Sequence, residues 1–147
     1  MRKLNSKLLY VFCALLFFSA FTSGKKDIIT IFMIGDSTMA NKSLKNGNIE
    51  RGWGQMLPEF LIGDVRVDNH AMNGRSSQSF IDEGRWDVVL SKLKSGDYVF
   101  IQFGHNDEKS AEELHTIPGS TFDENLRRFV RETRAKGAYP VLFNSIV

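Results

Sequence analysis

Between residues 28 and 34 the chain is apolar except at Thr30, and several of these residues are β-branched. Such a run predicts a strand buried on both faces. It stops at Gly35-Asp36-Ser37, a polar turn at the strand's carboxyl end. A polar, glycine-containing loop from Asn41 to Gly52 follows, and then Trp53, Met56, Leu57, Phe60 and Leu61 fall at helical spacing. Pro58 makes that helix short or irregular. Asp64 to Asp68 alternates polar with apolar, as a strand with one well-buried face does, which places it at a sheet edge. The turn Asn73-Gly74-Arg75-Ser76-Ser77 comes next, followed by one helix whose apolar side includes Trp86, Val89, Leu90 and Leu93. Tyr98 to Phe103 predicts a third strand, apolar enough to be central, and it too runs into a polar turn, Gly104-His105-Asn106-Asp107. The loop from Glu108 to Ser120 is longer than a typical connection between strand and helix, a length that often marks a substrate-facing lid. Thr121-Phe122-Asp123-Glu124 reads as a capping box for a helix with Phe122, Leu126, Phe129, Val130 and Thr133 on one face. Lys136-Gly137 stops it, and Tyr139 to Val147 is a fourth strand.

Strands alternating with helices imply an α/β fold with a parallel sheet and right-handed crossovers. One amphipathic strand in second place, with apolar strands first, third and fourth, fits a flavodoxin-like three-layer sandwich of strand order 2-1-3-4-5. A fifth strand and the last helix are expected to be missing from this chain. In that order the carboxyl ends of the first three strands lie side by side, where open α/β sheets bind their ligands. Ser37, Gly74 and Asn106, far apart in sequence, are thereby brought together.

Composition narrows the class. The 147 residues are 42% hydrophobic and 24% charged, which suits one globular domain. Residues 1–24 stand apart: Arg2, Lys3 and Lys7 precede the apolar run Leu8 to Phe21, and small residues follow at Thr22-Ser23-Gly24. This is the pattern of a secretory signal peptide, short for a membrane span, with an uncleaved anchor as the alternative, so the domain is expected to cover 25–147 and to act outside the cytoplasm, secreted or periplasmic. Cys13, the single cysteine, lies within that run, so disulfides play no part. Without Arg2, Lys3 and Lys7 the chain has 16 basic against 17 acidic residues, a net charge of −1. No basic field then argues for nucleic acid, and no membrane partner is expected after signal cleavage. No His, Cys, Asp and Glu cluster has metal-ligand spacing and Gly35-Asp36-Ser37 lacks a phosphate loop's lysine, so neither metal nor cofactor is expected.

Taken alone, the first turn reads as an ordinary loop with Ser37 or Thr38 capping a helix. The other two turns change that. Ester hydrolysis needs a nucleophile and donors about 3 Å from the developing oxyanion. Ser37 offers a hydroxyl and its own N–H, Gly74 an N–H with no side chain in the way, and Asn106 a side-chain amide.

The segments Gly35-Asp36-Ser37-Thr38-Met39-Ala40, Gly52-Trp53-Gly54, Asn73-Gly74-Arg75-Ser76, Glu83-Gly84-Arg85 and Phe103-Gly104-His105-Asn106-Asp107 resemble the SGNH (GDSL-type) hydrolases, and among them the rhamnogalacturonan acetylesterase branch. The resemblance implies Ser37 as nucleophile, with Gly74 and Asn106 completing the oxyanion hole. It implies a secreted serine esterase that removes acetyl groups from an acetylated pectic polysaccharide or oligosaccharide. The family takes its general base from an Asp-x-x-His segment after the fifth strand, and none is present here, so this chain is expected to be inactive alone. His105 is expected beside the hole rather than as a base, Asp36 and Asp107 as carboxylates holding the turns. Arg75 and Arg85 face either substrate carboxylates or a structural ion pair. Trp53 and Trp86 are read as core. A non-catalytic carbohydrate-binding remnant and an SGNH hydrolase acting on lipid or thioester remain as alternatives.

Overall fold

The computed structural model describes residues 28–145. The expected signal segment lies outside the described residues. Four strands, β1 (Ile29–Gly35), β2 (Val65–Asn69), β3 (Tyr98–Gln102) and β4 (Tyr139–Leu142), form one parallel sheet in the order β2-β1-β3-β4. This is the expected α/β arrangement, with alternating β2 at one edge and apolar β1 and β3 in the centre.

Side chains alternate across the sheet and divide the core in two. Phe32 and Ile34 of β1, with Val99 and Ile101 of β3, point to a face covered by α2 (Ser77–Asp82), α3 (Arg85–Lys92) and α4 (Thr121–Ala135), where Phe80, Trp86, Val89 and Phe129 are fully buried. Trp86 meets Phe129 edge to face with ring centroids 5.0 Å apart, and its indole N–H donates to Glu132, so both its apolar body and its polar tip are satisfied. Ile31 and Met33 point to the other face, against Met39, Ala40, Ala71 and the partly buried Trp53 and Leu57. That cover is thin: α1 (Trp53–Met56) passes at Pro58 into a 3-10 turn, Leu57–Phe60.

Three local expectations are corrected. The single helix expected after Ser77 is two, α2 and α3, because Gly84 between them has φ 69°, a left-handed conformation that an α-helix does not hold. The reciprocal capping box lies at Ser76 and Ser79, at the start of α2. At α4, Thr121 and Asp123 instead accept from the N–H groups of Ile117 and Gly119, which holds the preceding loop. Finally, the fourth strand, expected from Tyr139 to Val147, spans Tyr139–Leu142, and it carries Pro140 within it. Tyr139 N–H donates to Asp97 and Phe143 N–H to Ile101, both on the β3 side. By alternation residue 140 turns its nitrogen outward, where proline has no N–H to offer and blunts the outer edge.

Candidate active site

The first turn leaves β1 at Gly35. Asp36 is buried, and its Oδ1 accepts from the Thr38 N–H at 2.9 Å and the Thr38 hydroxyl at 2.8 Å, while Ala40 N–H closes the turn on the Asp36 carbonyl at 3.0 Å. The chain then packs against itself. A Cβ at Gly52 would lie 2.0 Å from the Ala40 carbonyl oxygen, and one at Gly54 would lie 2.7 Å from that of Met39. Both glycines of Gly52-Trp53-Gly54 are therefore required by close backbone approach. Trp53 N–H donates to the Thr38 carbonyl, and Asn69, at the end of β2, donates to the Met39 carbonyl. Ser37 is half-buried at the apex, and its hydroxyl has no hydrogen-bond partner among the described residues.

The second turn is carried up against the first, since Met72 N–H donates to the Gly35 carbonyl at 3.0 Å and extends the β1–β2 pairing. Gly74 has φ 74° and a Cβ there would meet nothing within 4 Å. Within this chain glycine is thus required by conformation, whereas the sequence argument rested on clearance. Arg75 Nε lies 3.0 and 3.1 Å from the two carboxylate oxygens of Glu83, its Nη1 donates to the Asn73 carbonyl, and Arg85 Nε donates to Glu83 as well. Of the two roles foreseen for Arg75 and Arg85, the geometry displays the ion pair. The Arg85 hydrogen bond holds the Glu83 carboxyl below the usual carboxylate range, against an opposing effect of desolvation and with help from Arg75.

The third turn is stitched to the second. Asn106 is 1% exposed, and its Nδ2 donates to the Arg75 carbonyl at 3.0 Å. Asp107, also buried, accepts from the Ser77 N–H, the Ser77 hydroxyl and the Thr116 hydroxyl. Burial pushes its pKa up, and these hydrogen bonds only partly offset it. His105 is exposed and faces Glu108, with Nδ1 3.8 Å from its carboxylate. A cavity of about 340 Å³ beside this turn is lined by Gly104, His105, Asp107, His115, Thr116 and Phe122 among others. Among the described residues no group of three or more His, Cys, Asp or Glu is placed to hold a metal, and no helix is long and apolar enough to cross a membrane.

Two residues that sequence reasoning passed over join these turns. Gln102 ends β3 and is 4% exposed; its Oε1 accepts from Trp53 Nε1 at 2.7 Å and lies 3.0 Å from the Thr38 hydroxyl, while its Nε2 donates to the Asn144 carbonyl. A glutamine closing an otherwise apolar strand is the signal that was available. Lys109 Nζ donates to Asn106 Oδ1 at 2.6 Å. Nothing in the local pattern marks that lysine.

A parallel sheet of this order, with a serine turn, a glycine turn and an asparagine turn at adjacent strand ends, is the α/β arrangement that the resemblance to SGNH hydrolases implies. The chain belongs to the GDSL-like lipase/acylhydrolase family, whose match covers residues 33–146. It is 40% identical over 121 residues to the rhamnogalacturonan acetylesterase RhgT of Bacillus subtilis, covering 82% of this chain and 50% of that protein. With the probable rhamnogalacturonan acetylesterase YesY of the same organism it shares 36% identity over 117 residues, 79% of this chain and 53% of that one. The crystal structure of the Bacillus subtilis protein YxiM superposes with a TM-score of 0.67 at 32% identity, covering 80% of this chain and 33% of that chain. The chain therefore spans about half the length of the Bacillus acetylesterases it matches.

Proposed function

We propose that the protein is an exported serine ester hydrolase that removes O-acetyl groups from a rhamnogalacturonan- or pectin-type polysaccharide. Ser37 Oγ attacks the acetyl carbonyl carbon, and the N–H groups of Ser37 and Gly74 with Asn106 Nδ2 receive the oxyanion. Collapse of the tetrahedral intermediate expels the sugar hydroxyl and leaves an acetyl-serine, which water hydrolyses to acetate and free serine. No described residue hydrogen-bonds to Ser37, and His105 faces Glu108, so the base that takes the Ser37 proton is left unassigned.

The observation that carries this reading is the Asn106 to Arg75 hydrogen bond, which fixes a buried amide against the glycine turn beside the serine turn. The names of the Bacillus relatives support the acetylated pectic substrate, and the basic then apolar residues 1–24 support export. The full-length protein should release acetate from acetylated rhamnogalacturonan. Ser37→Ala should abolish that release, and Asn106→Ala should lower kcat by about 10²–10³ with the fold retained. Full activity in Ser37→Ala would refute the assignment.

A further inference from the structure

Asn106 carries one oxygen and two N–H groups on its side chain, and what faces each end decides which way the amide points. Lys109 Nζ, which only donates, sits 2.6 Å from Oδ1, and the Arg75 carbonyl, which only accepts, sits 3.0 Å from Nδ2. The reverse orientation would set the amide nitrogen against an ammonium group and the amide oxygen against a carbonyl. One N–H of Nδ2 is left without a partner among the described residues.

The lysine is held where it is by its own loop. Asp107 and Glu108 N–H both donate to the Gly104 carbonyl, Lys109 N–H donates to the Asn106 carbonyl, and His115 Nδ1 lies 3.0 Å from the Lys109 carbonyl. The ammonium group is thus delivered to the far end of the amide from the glycine turn. A positive charge on an amide oxygen draws electron density through the conjugated C–N bond. The N–H groups become stronger donors, as linked hydrogen bonds polarise one another.

We infer that Lys109 is a positioning residue for ester hydrolysis: through Oδ1 it fixes the orientation of the Asn106 amide and strengthens the Nδ2 donor that the oxyanion meets. This rests on the proposed function and adds to it a residue that touches neither substrate nor nucleophile. Its effect belongs to the transition state, where negative charge grows on the oxyanion, and not to substrate binding.

Losing a whole oxyanion donor lowers kcat by about 10²–10³, and Lys109 modulates one such donor, so Lys109→Met should lower kcat by about tenfold. With 4-nitrophenyl acetate and the full-length protein, KM should stay within about twofold of wild type, and Lys109→Arg, which keeps a cationic donor, should recover most of the loss. Lys109→Met should cause no further fall in an Asn106→Ala background, since it acts through that amide. The Asn106 side-chain N–H resonances should move upfield in Lys109→Met, a readout that needs no turnover. An unchanged kcat, a rise in KM alone, or an undiminished loss in the Asn106→Ala background would overturn the inference. Turnover that persists in Ser37→Ala would instead overturn the proposed function, so the two failures are separable.

Discussion

Gln102→Met replaces a buried amide by an apolar side chain of similar length, and the structure says which partner suffers. Thr38 Oγ1 keeps Asp36 Oδ1 at 2.8 Å, but Trp53 Nε1 has Gln102 Oε1 as its one acceptor among the described residues. A stranded indole N–H costs about 1–3 kcal/mol, and the lost bond to the Asn144 carbonyl about 0.5–1.5 kcal/mol, so the variant should be destabilised by about 1.5–4.5 kcal/mol. Trp53→Phe removes the donor and keeps an aromatic ring near Phe143, whose centroid is 5.1 Å from that of Trp53. Once that donor is gone, Gln102→Met has nothing to strand there. The double variant should therefore be more stable than the sum of the single effects by about 1–2 kcal/mol. Urea unfolding followed by far-ultraviolet circular dichroism measures this without relying on the altered tryptophan. Additivity within about 0.3–0.5 kcal/mol would refute the claim that the Gln102 acceptor serves Trp53.

Asp107→Asn turns an acceptor-only carboxylate into a group with its own donors, facing the Ser77 N–H and the Ser77 and Thr116 hydroxyls, and should destabilise the fold by about 1–3 kcal/mol in urea melts. Because burial raises the Asp107 pKa, the fold favours its protonated form: that contribution to stability is fully present below the ordinary value of 3.8 and is lost as pH rises through the folded-state value, and the asparagine variant should lack this trend. Glu83 has the opposite sign: its lowered pKa contributes stability above 4.5 that disappears as pH falls through the folded-state value. Thermal melts of Glu83→Gln should show a weaker acid dependence than wild type, and an identical dependence would count against the Arg85–Glu83–Arg75 cluster.

Strand order could be read from the sequence because burial imprints directly on polarity. The alternation over Asp64 to Asp68 marks an edge and the apolar runs at Ile28 and Tyr98 mark a centre, and β2-β1-β3-β4 follows. The break at Gly84 was hidden because the apolar spacing after it is itself helical, so periodicity ran on where the backbone did not. The cap at Ser76 escaped notice because its partner is Ser79 and not the glutamate or glutamine of the usual pattern. Pro140 was present in the sequence, yet only the parallel register shows that its nitrogen lies on the free side of β4. The expected strand order already set the three turns side by side, but the hydrogen bonds that tie one to another depend on long-range contacts that spacing cannot express.

Those contacts explain why short loops can hold a site at all. An isolated turn of a few residues is held by few bonds and is free to rearrange. Here the turns are tied to groups outside them: Asn69 and Gln102 grip the serine turn from the ends of β2 and β3, Asn106 grips the glycine turn through Arg75, and Asp107 grips the start of α2 through Ser77. Each of these anchors is rooted at a strand end or in the turn that follows it, and the strands are locked in register by the sheet. Positional error in one turn is thereby limited by the rigidity of its neighbour, which is what donors aimed at one developing charge require. The cross-bracing also shares out vulnerability, because a substitution at Gln102 or Asp107 removes a bond to a turn on a different strand.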